Sequence, residues 1–182
     1  MDPYLLLKLA HVVAALLWVG GVAILALLVI VVDRKGDDAA TLGALALLGL
    51  AGRHVFGRAM AATLGSGLVL AWLGGWALSP WVVLSALLAV ASVLYVKRVM
   101  APASGAIMAR RAGGDIPGAA ALARRQLRRI GTDLSLKAAI IALMILKPGL
   151  PEPLLLVPAA FLSLGAVLHL SLTARHPAPQ TA

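Results

Sequence analysis

The sequence contains no cysteine. That single absence removes disulfides, thiolate metal sites, cysteine-ligated iron–sulfur clusters and thiol nucleophiles together, and it leaves the redox compartment open. Charge is also scarce. Only 13% of residues are charged, against about a quarter in a soluble domain. Acids are scarcer than bases, and all seven (Asp2, Asp33, Asp37, Asp38, Asp115, Asp133 and Glu152) are expected in loops or at helix ends. With no carboxylate expected inside a membrane helix, a proton relay or ion site is excluded at this level, which argues against a pump or secondary transporter. A Gly-rich phosphate loop, a zinc-binding HExxH and a defensible Ser/His/Asp order are absent as well.

What is present is apolar. Hydrophobic residues make up 62% of the chain, and the mean hydropathy is +0.98. Too little polar surface exists to cover a globular core of this composition, so lipid must be the solvent for much of it. The net charge of +9 would suggest nucleic acid in a soluble protein. Here the bases sit between apolar runs, and no nucleic-acid partner is expected. The first thirty residues are not read as a signal peptide. Leu9 to Val32 carries no formal charge and is longer than a signal h-region, and Asp33-Arg34-Lys35 comes next as a stop-transfer flank.

A spanning helix needs about 20 mostly apolar residues. Span one covers 4–32. Asp33 to Asp38 is a polar turn, and Asp38 is placed to cap the next helix. Residues 39–52 are apolar but too short to cross, so they form an interfacial piece or a cytoplasmic extension of span two. Arg53, His54 and Arg58 mark the inner boundary. Ala59 to Val96 carries no charge, and one helix of that length would overshoot the bilayer nearly twofold. Gly74-Gly75 and Ser79-Pro80 divide it into spans 55–77 and 81–97.

The stretch 98–130 is the sizeable hydrophilic segment. Within it, 119–130 reads as a basic amphipathic helix lying on anionic lipid, with Arg124, Arg125, Arg128 and Arg129 meeting head groups. Span four covers 132–147, with Lys137 near its inner end. Span five covers 153–174, and 175–182 is expected to be a disordered tail. The expected fold is therefore all-α: a polytopic membrane bundle forming one transmembrane domain over 1–174, with a four-helix core and a fifth C-terminal span.

Five spans sort the loops into two sets. Of the 16 Lys and Arg, all but Lys8 and Lys147 fall in one set. Basic flanks stay in the cytoplasm, so the N-terminus is expected outside and the C-terminus inside. Trp72, Trp76, Trp81 and Tyr4 then gather toward the outer interface as an aromatic belt.

At 100° per residue, Tyr4, Lys8, His11, Ala15, Trp18 and Val22 share one narrow stripe of span one. Ionisable groups facing lipid are costly, so the stripe should face the bundle. It reads as a ligand or cofactor site in the outer half of the membrane. The alternative is that Lys8 snorkels outward and His11 hydrogen-bonds a neighbouring helix. His54 and His169 form a second candidate pair of haem ligands near the inner side, and His11 with Met144 a third, since imidazole and thioether both suit haem iron. Each of these has an ordinary alternative in interfacial hydration or packing. Gly57, Ala61 and Gly65 form a small-residue stripe on span two, and Gly20 and Gly21 add small residues to span one. Both allow close helix approach.

Residues 4–21, YLLLKLAHVVAALLWVGG, resemble the first helix of a group of small bacterial membrane proteins. The group includes the HemJ-type protoporphyrinogen oxidases, the membrane domain of copper-resistance protein D, and a related family of predicted integral membrane proteins of unknown function. Tyr4, Leu5, Leu7, Lys8, His11, Trp18, Gly20 and Gly21 carry the likeness. Ile145-Leu146-Lys147-Pro148-Gly149 resembles the fourth-helix ending of the group. The resemblance implies a bacterial cytoplasmic membrane and b-type haem, with His11 as iron ligand. Lys8 and Arg58 would then be propionate partners and Trp18 a wall. HemJ-type proteins carry a lysine four residues after a tryptophan at the start of the third helix. Here Trp81 is followed by Val82, Val83, Leu84 and Ser85, so the likeness is greater to the uncharacterised family.

Three functions are therefore expected as alternatives. The first is a haem-binding or haem-handling redox protein, and the second a non-catalytic accessory or assembly subunit bound to a membrane-protein partner or to a second copy of itself. The third is copper passage, which the thin supply of Met and His disfavours.

Overall fold

A computed structural model describes residues 2–147 as four long helices: α1 (Pro3–Asp33), α2 (Asp38–Leu73), α3 (Pro80–Ala112) and α4 (Ile116–Leu146). No strand occurs among the described residues. The expected fifth span, the tail and His169 lie outside them.

Three of the four helices start at a side-chain cap, and α3 starts at a proline. Asp2 accepts from the Tyr4 N–H and Asp37 from the Ala40 N–H, both at 2.9 Å. Asp115 accepts from the Gly118 N–H at 2.9 Å. Side-chain acceptors of this kind satisfy the free N–H groups of a first turn. Pro3 and Pro80 begin α1 and α3, where a missing N–H costs nothing. The three connections are tight because Gly36, Gly75 and Gly114 take φ of 76°, 71° and 82°, a backbone region that disfavours side chains. Connections this short force neighbouring helices to run antiparallel.

The helices run longer than the apolar segments that announce them. The segment 39–52 is not a separate interfacial piece. It is the first half of α2, which has 36 residues and a length of about 54 Å. The helix of span three does not end at Lys97-Arg98 but continues to Ala112. The basic helix expected to lie on lipid is the first half of α4. It stands within the bundle, with Ala119, Ala120, Ala123, Leu127 and Ile130 buried. By length and composition α1, α2 and α3 are apolar enough to cross a membrane. The more polar α4 packs along α3.

Three π-helical turns interrupt the ladders: Leu16–Gly20 in α1, Gly52–Phe56 in α2 and Val96–Met100 in α3. Those of α1 and α2 pack on one another. The Phe56 ring lies against Gly21, where an added Cβ would stand 3.0 Å from Cζ, so glycine is what lets the ring in. Below this waist the four helices share one core: Trp18, Ala26 and Val29 of α1, Leu42, Leu45, Leu48, Phe56 and Ala59 of α2, Ile107 of α3, and the buried face of α4. Above the waist α1 packs chiefly on α2, and α3 on α4.

The outward faces carry exposed Leu, Ile and Val along α1, α2 and α3, as lipid contact requires. At the end where α2 meets α3, the Trp76 and Trp81 rings are 6.2 Å apart. Lys147 Nζ lies 5.3 Å and 5.7 Å from their centroids. The aromatic cluster expected at one interface is thus assembled at one end of the bundle.

Candidate functional site

His11 faces α2. Its Nδ1 lies 3.0 Å from the Thr63 carbonyl and 3.1 Å from Ser66 Oγ. A carbonyl can only accept, so Nδ1 carries a proton, and in the neutral ring the lone pair is on Nε2. Nε2 makes no hydrogen bond among the described residues. The ring rests on the backbone of α2, since a Cβ on Gly67 would stand 3.0 Å from His11 Cε1. Anchoring one imidazole nitrogen to a backbone carbonyl while freeing the other is the arrangement of a metal-ligating histidine. It also joins α1 to α2.

The other residues of the expected stripe divide. Lys8, one turn before His11, is exposed, whereas Trp18 is 5% exposed and belongs to the core. Arg58 does not share the level of Lys8. Lys8 lies on the tryptophan-cluster side of His11 and Arg58 on the opposite side of Thr63, so the two are about 12 Å apart along the bundle at 1.5 Å per residue. They do not form one pair of grips on one edge of a ligand. His54 is exposed at the waist. Met144 is half-buried on α4. Trp18 meets Lys137, and His11 and Met144 each lie seven residues outward of those two, so the depths match. No described hydrogen bond or core cluster joins them.

The more demanding cluster is one that sequence patterning misplaces. Asp133 is not at a helix end. It lies 3% exposed in the interior of α4. Lys137, one turn on and 2% exposed, forms an ion pair with Asp133 Oδ2. Ser92 Oγ donates to Asp133 Oδ1 at 2.6 Å and accepts from Lys137 Nζ at 3.3 Å. The Trp18 ring faces the ammonium at 5.3 Å. A carboxylate is therefore buried in the bundle, and the exclusion of proton chemistry drawn from the placement of acids is withdrawn. The sequence signal was the Asp-x-x-x-Lys spacing inside an apolar run. Expecting a helix start at 132 hid it.

The arginines of α4 also divide. Arg124 points inward, with Nε donating to Asp33 at 2.9 Å and Nη2 to Asp38 at 2.6 Å. It pins α4 to the α1–α2 turn and is not a lipid contact. Partial burial opposes its charge, but the hydrogen bonds and charges of Asp38 and Asp33 outweigh that and hold the guanidinium above its ordinary value. Arg125 and Arg128 are exposed and Arg129 is half-buried. Arg125 and Arg129 line a shallow groove with Val99, Pro102, Ala106 and Leu122. No cluster of three His, Cys, Asp or Glu able to hold a metal ion occurs among the described residues.

The sequence model of a family described as predicted integral membrane protein (DUF2269) matches residues 5–148. No curated protein and no solved structure matches the chain.

Proposed function

The chain belongs to DUF2269, a family of predicted integral membrane proteins, and on that premise we propose that it carries a b-type haem at His11 in the outer half of a bacterial cytoplasmic membrane. The observation that carries this reading is the His11 imidazole, tied through Nδ1–H to the Thr63 carbonyl and left with an open Nε2. An imidazole held in this way would suit haem iron as a ligand. Lys8, exposed one turn outward, fits the charge of one propionate. Arg58 does not fit the same edge. Haem, when bound, supplies one-electron redox chemistry. The chain's own residues orient the ligand nitrogen, leave room for the ring at Gly67 and present apolar walls from α1 and α2. The likeness of the first helix to HemJ-type proteins supports a haem-related role in the same way.

The orientation belongs to this reading. The basic residues gather at the end holding the α1–α2 and α3–α4 turns, and the tryptophans at the other. Basic flanks stay in the cytoplasm, which puts the N-terminus outside. The groove of Arg125 and Arg129 with Val99, Pro102 and Leu122 suits an anionic lipid, head group on the guanidinium groups and chain on the apolar wall.

A second reading, an accessory subunit, is favoured by one observation. Ile24, Leu27, Val31 and Leu47 remain exposed on the inner halves of α1 and α2, below the level of Arg53. An apolar face there suits a membrane-protein partner or a second copy of the chain. Copper passage has the weakest support, since no second donor cluster accompanies His11 among the described residues.

The test is an optical spectrum of the full chain purified from haem-replete cells. A Soret band is expected, lost in His11→Ala and reduced at least tenfold in Gly67→Leu, which pushes the ring off its seat. A colourless wild type contradicts the reading. A stoichiometric partner co-purifying with colourless protein turns it to the accessory subunit.

A further inference from the structure

The His11 site leaves the α3–α4 seam unused, and that seam is polar over much of its length. Ser85 and Ser92 sit seven residues apart on one face of α3, and Gln126 and Asp133 seven apart on one face of α4. All four are buried, none more than 3% exposed. Ser92, Asp133 and Lys137 satisfy one another. The groups on either side do not: Ser85 Oγ and Gln126 Oε1 have no hydrogen-bond partner among the described residues. One lies a heptad outward of the ion pair and one a heptad inward. Buried oxygens of this kind are ordinarily satisfied by water.

The inner arm reaches the surface. Gln126 Nε2 donates to the Met100 carbonyl at 3.2 Å and to Ser104 Oγ at 3.4 Å, and Ser104 is exposed. From Ser104 to Ser85 the seam runs about 28 Å at 1.5 Å per residue, close to the thickness of the hydrocarbon layer.

We propose that this seam is a hydrated proton-uptake path, entered beside Ser104 at the arginine-rich end and ending on the Asp133 carboxylate. One proton from water there converts the carboxylate to the acid, and nothing is oxidised or reduced. The Lys137 ammonium then loses its anion but keeps Ser92 Oγ and the Trp18 face, which attracts a cation. That gives the indole a purpose beyond packing. From α1 the cluster receives Trp18 and from α3 Ser92, both uncharged. Arg53, His54 and Arg58 of α2 and Lys97 and Arg98 of α3 are exposed, and none bonds to Asp133 or Lys137. Arg124 is engaged with Asp33 and Asp38.

Infrared difference spectra of the full chain in lipid vesicles, between alkaline and acidic buffer, test this. A carbonyl band of a protonated carboxylic acid in water-poor surroundings is expected, absent from Asp133→Asn and from the double variant D133N/K137M. The double variant removes both charges together, so the control does not depend on tolerating a lone buried ammonium. On transfer to heavy water the band shifts promptly, and Gln126→Leu slows that shift at least tenfold. Wild-type spectra lacking a band sensitive to D133N overturn the proposal, and so does a shift indifferent to Q126L. The readout needs no haem, so it stands or falls separately from the His11 reading.

Discussion

A carboxylate and an ammonium one turn apart inside an apolar bundle stabilise one another. Removing one partner leaves the other buried and unpaired, which costs about 3–5 kcal/mol, whereas replacing both by apolar groups of similar volume is often neutral. Asp133→Ala is therefore expected to lower the denaturation midpoint in detergent sharply, and D133L/K137M to restore most of it. A single variant no worse than the double would show the pair to be hydrated and loosely held. Its members were hard to see from sequence because an acid is normally read as a helix boundary, and Asp133 is more than four turns into α4. His11 was legible because its stripe with Lys8 and Trp18 has helical spacing. Its partner was not, since the anchor is the Thr63 backbone carbonyl, which leaves no trace in residue type.

The three π-helical turns and the α4 face decide how the helices meet. Gly21 admits the Phe56 ring at the α1–α2 waist, so Gly21→Leu forces two large groups into one space. Overpacking of this kind costs about 1–3 kcal/mol, and the melting temperature should fall while helix content by circular dichroism stays unchanged. Arg124 holds the inner end of α4 to the α1–α2 turn. Arg124→Gln should cost about 1 kcal/mol, because the pairs are partly exposed and screened. The hydrogen bonds and charges of Asp38 and Asp33 hold the guanidinium's folded value above its ordinary one. Its contribution is thus present in full below the ordinary arginine value and fades only as pH rises through the raised folded one. A melting series across the neutral range should show the same wild-type-to-R124Q gap throughout. Helix ends were misread at Lys97 and at 119–130 for one reason: an exposed Arg or Lys does not stop a helix, it only marks the side facing water. The signal that α4 stands in the bundle was its alanines, Ala119, Ala120 and Ala123, which permit closer approach than a lipid-facing surface needs.

At the scale of the molecule, an apolar half and an arginine-rich end are joined at a waist where the helices bulge. The membrane character and the four-helix layout through residue 147 were legible from run length, turn residues and the placement of bases. The continuity of α2, α3 and α4 through that waist was not, because hydropathy registers the chemistry of an exposed face and not the hydrogen-bond ladder beneath it. The claim on which the haem reading and the proton path both rest is that the tryptophan end faces outward and the arginine end faces the cytoplasm. The chain has no cysteine, so single cysteines report cleanly. Leu78, 91% exposed in the α2–α3 turn, and Lys35, exposed in the α1–α2 turn, mark the two ends. With a membrane-impermeant maleimide, Leu78→Cys should label on intact cells and Lys35→Cys only after permeabilisation. Labelling of Lys35→Cys on intact cells, or of both cysteines from one side, would contradict it.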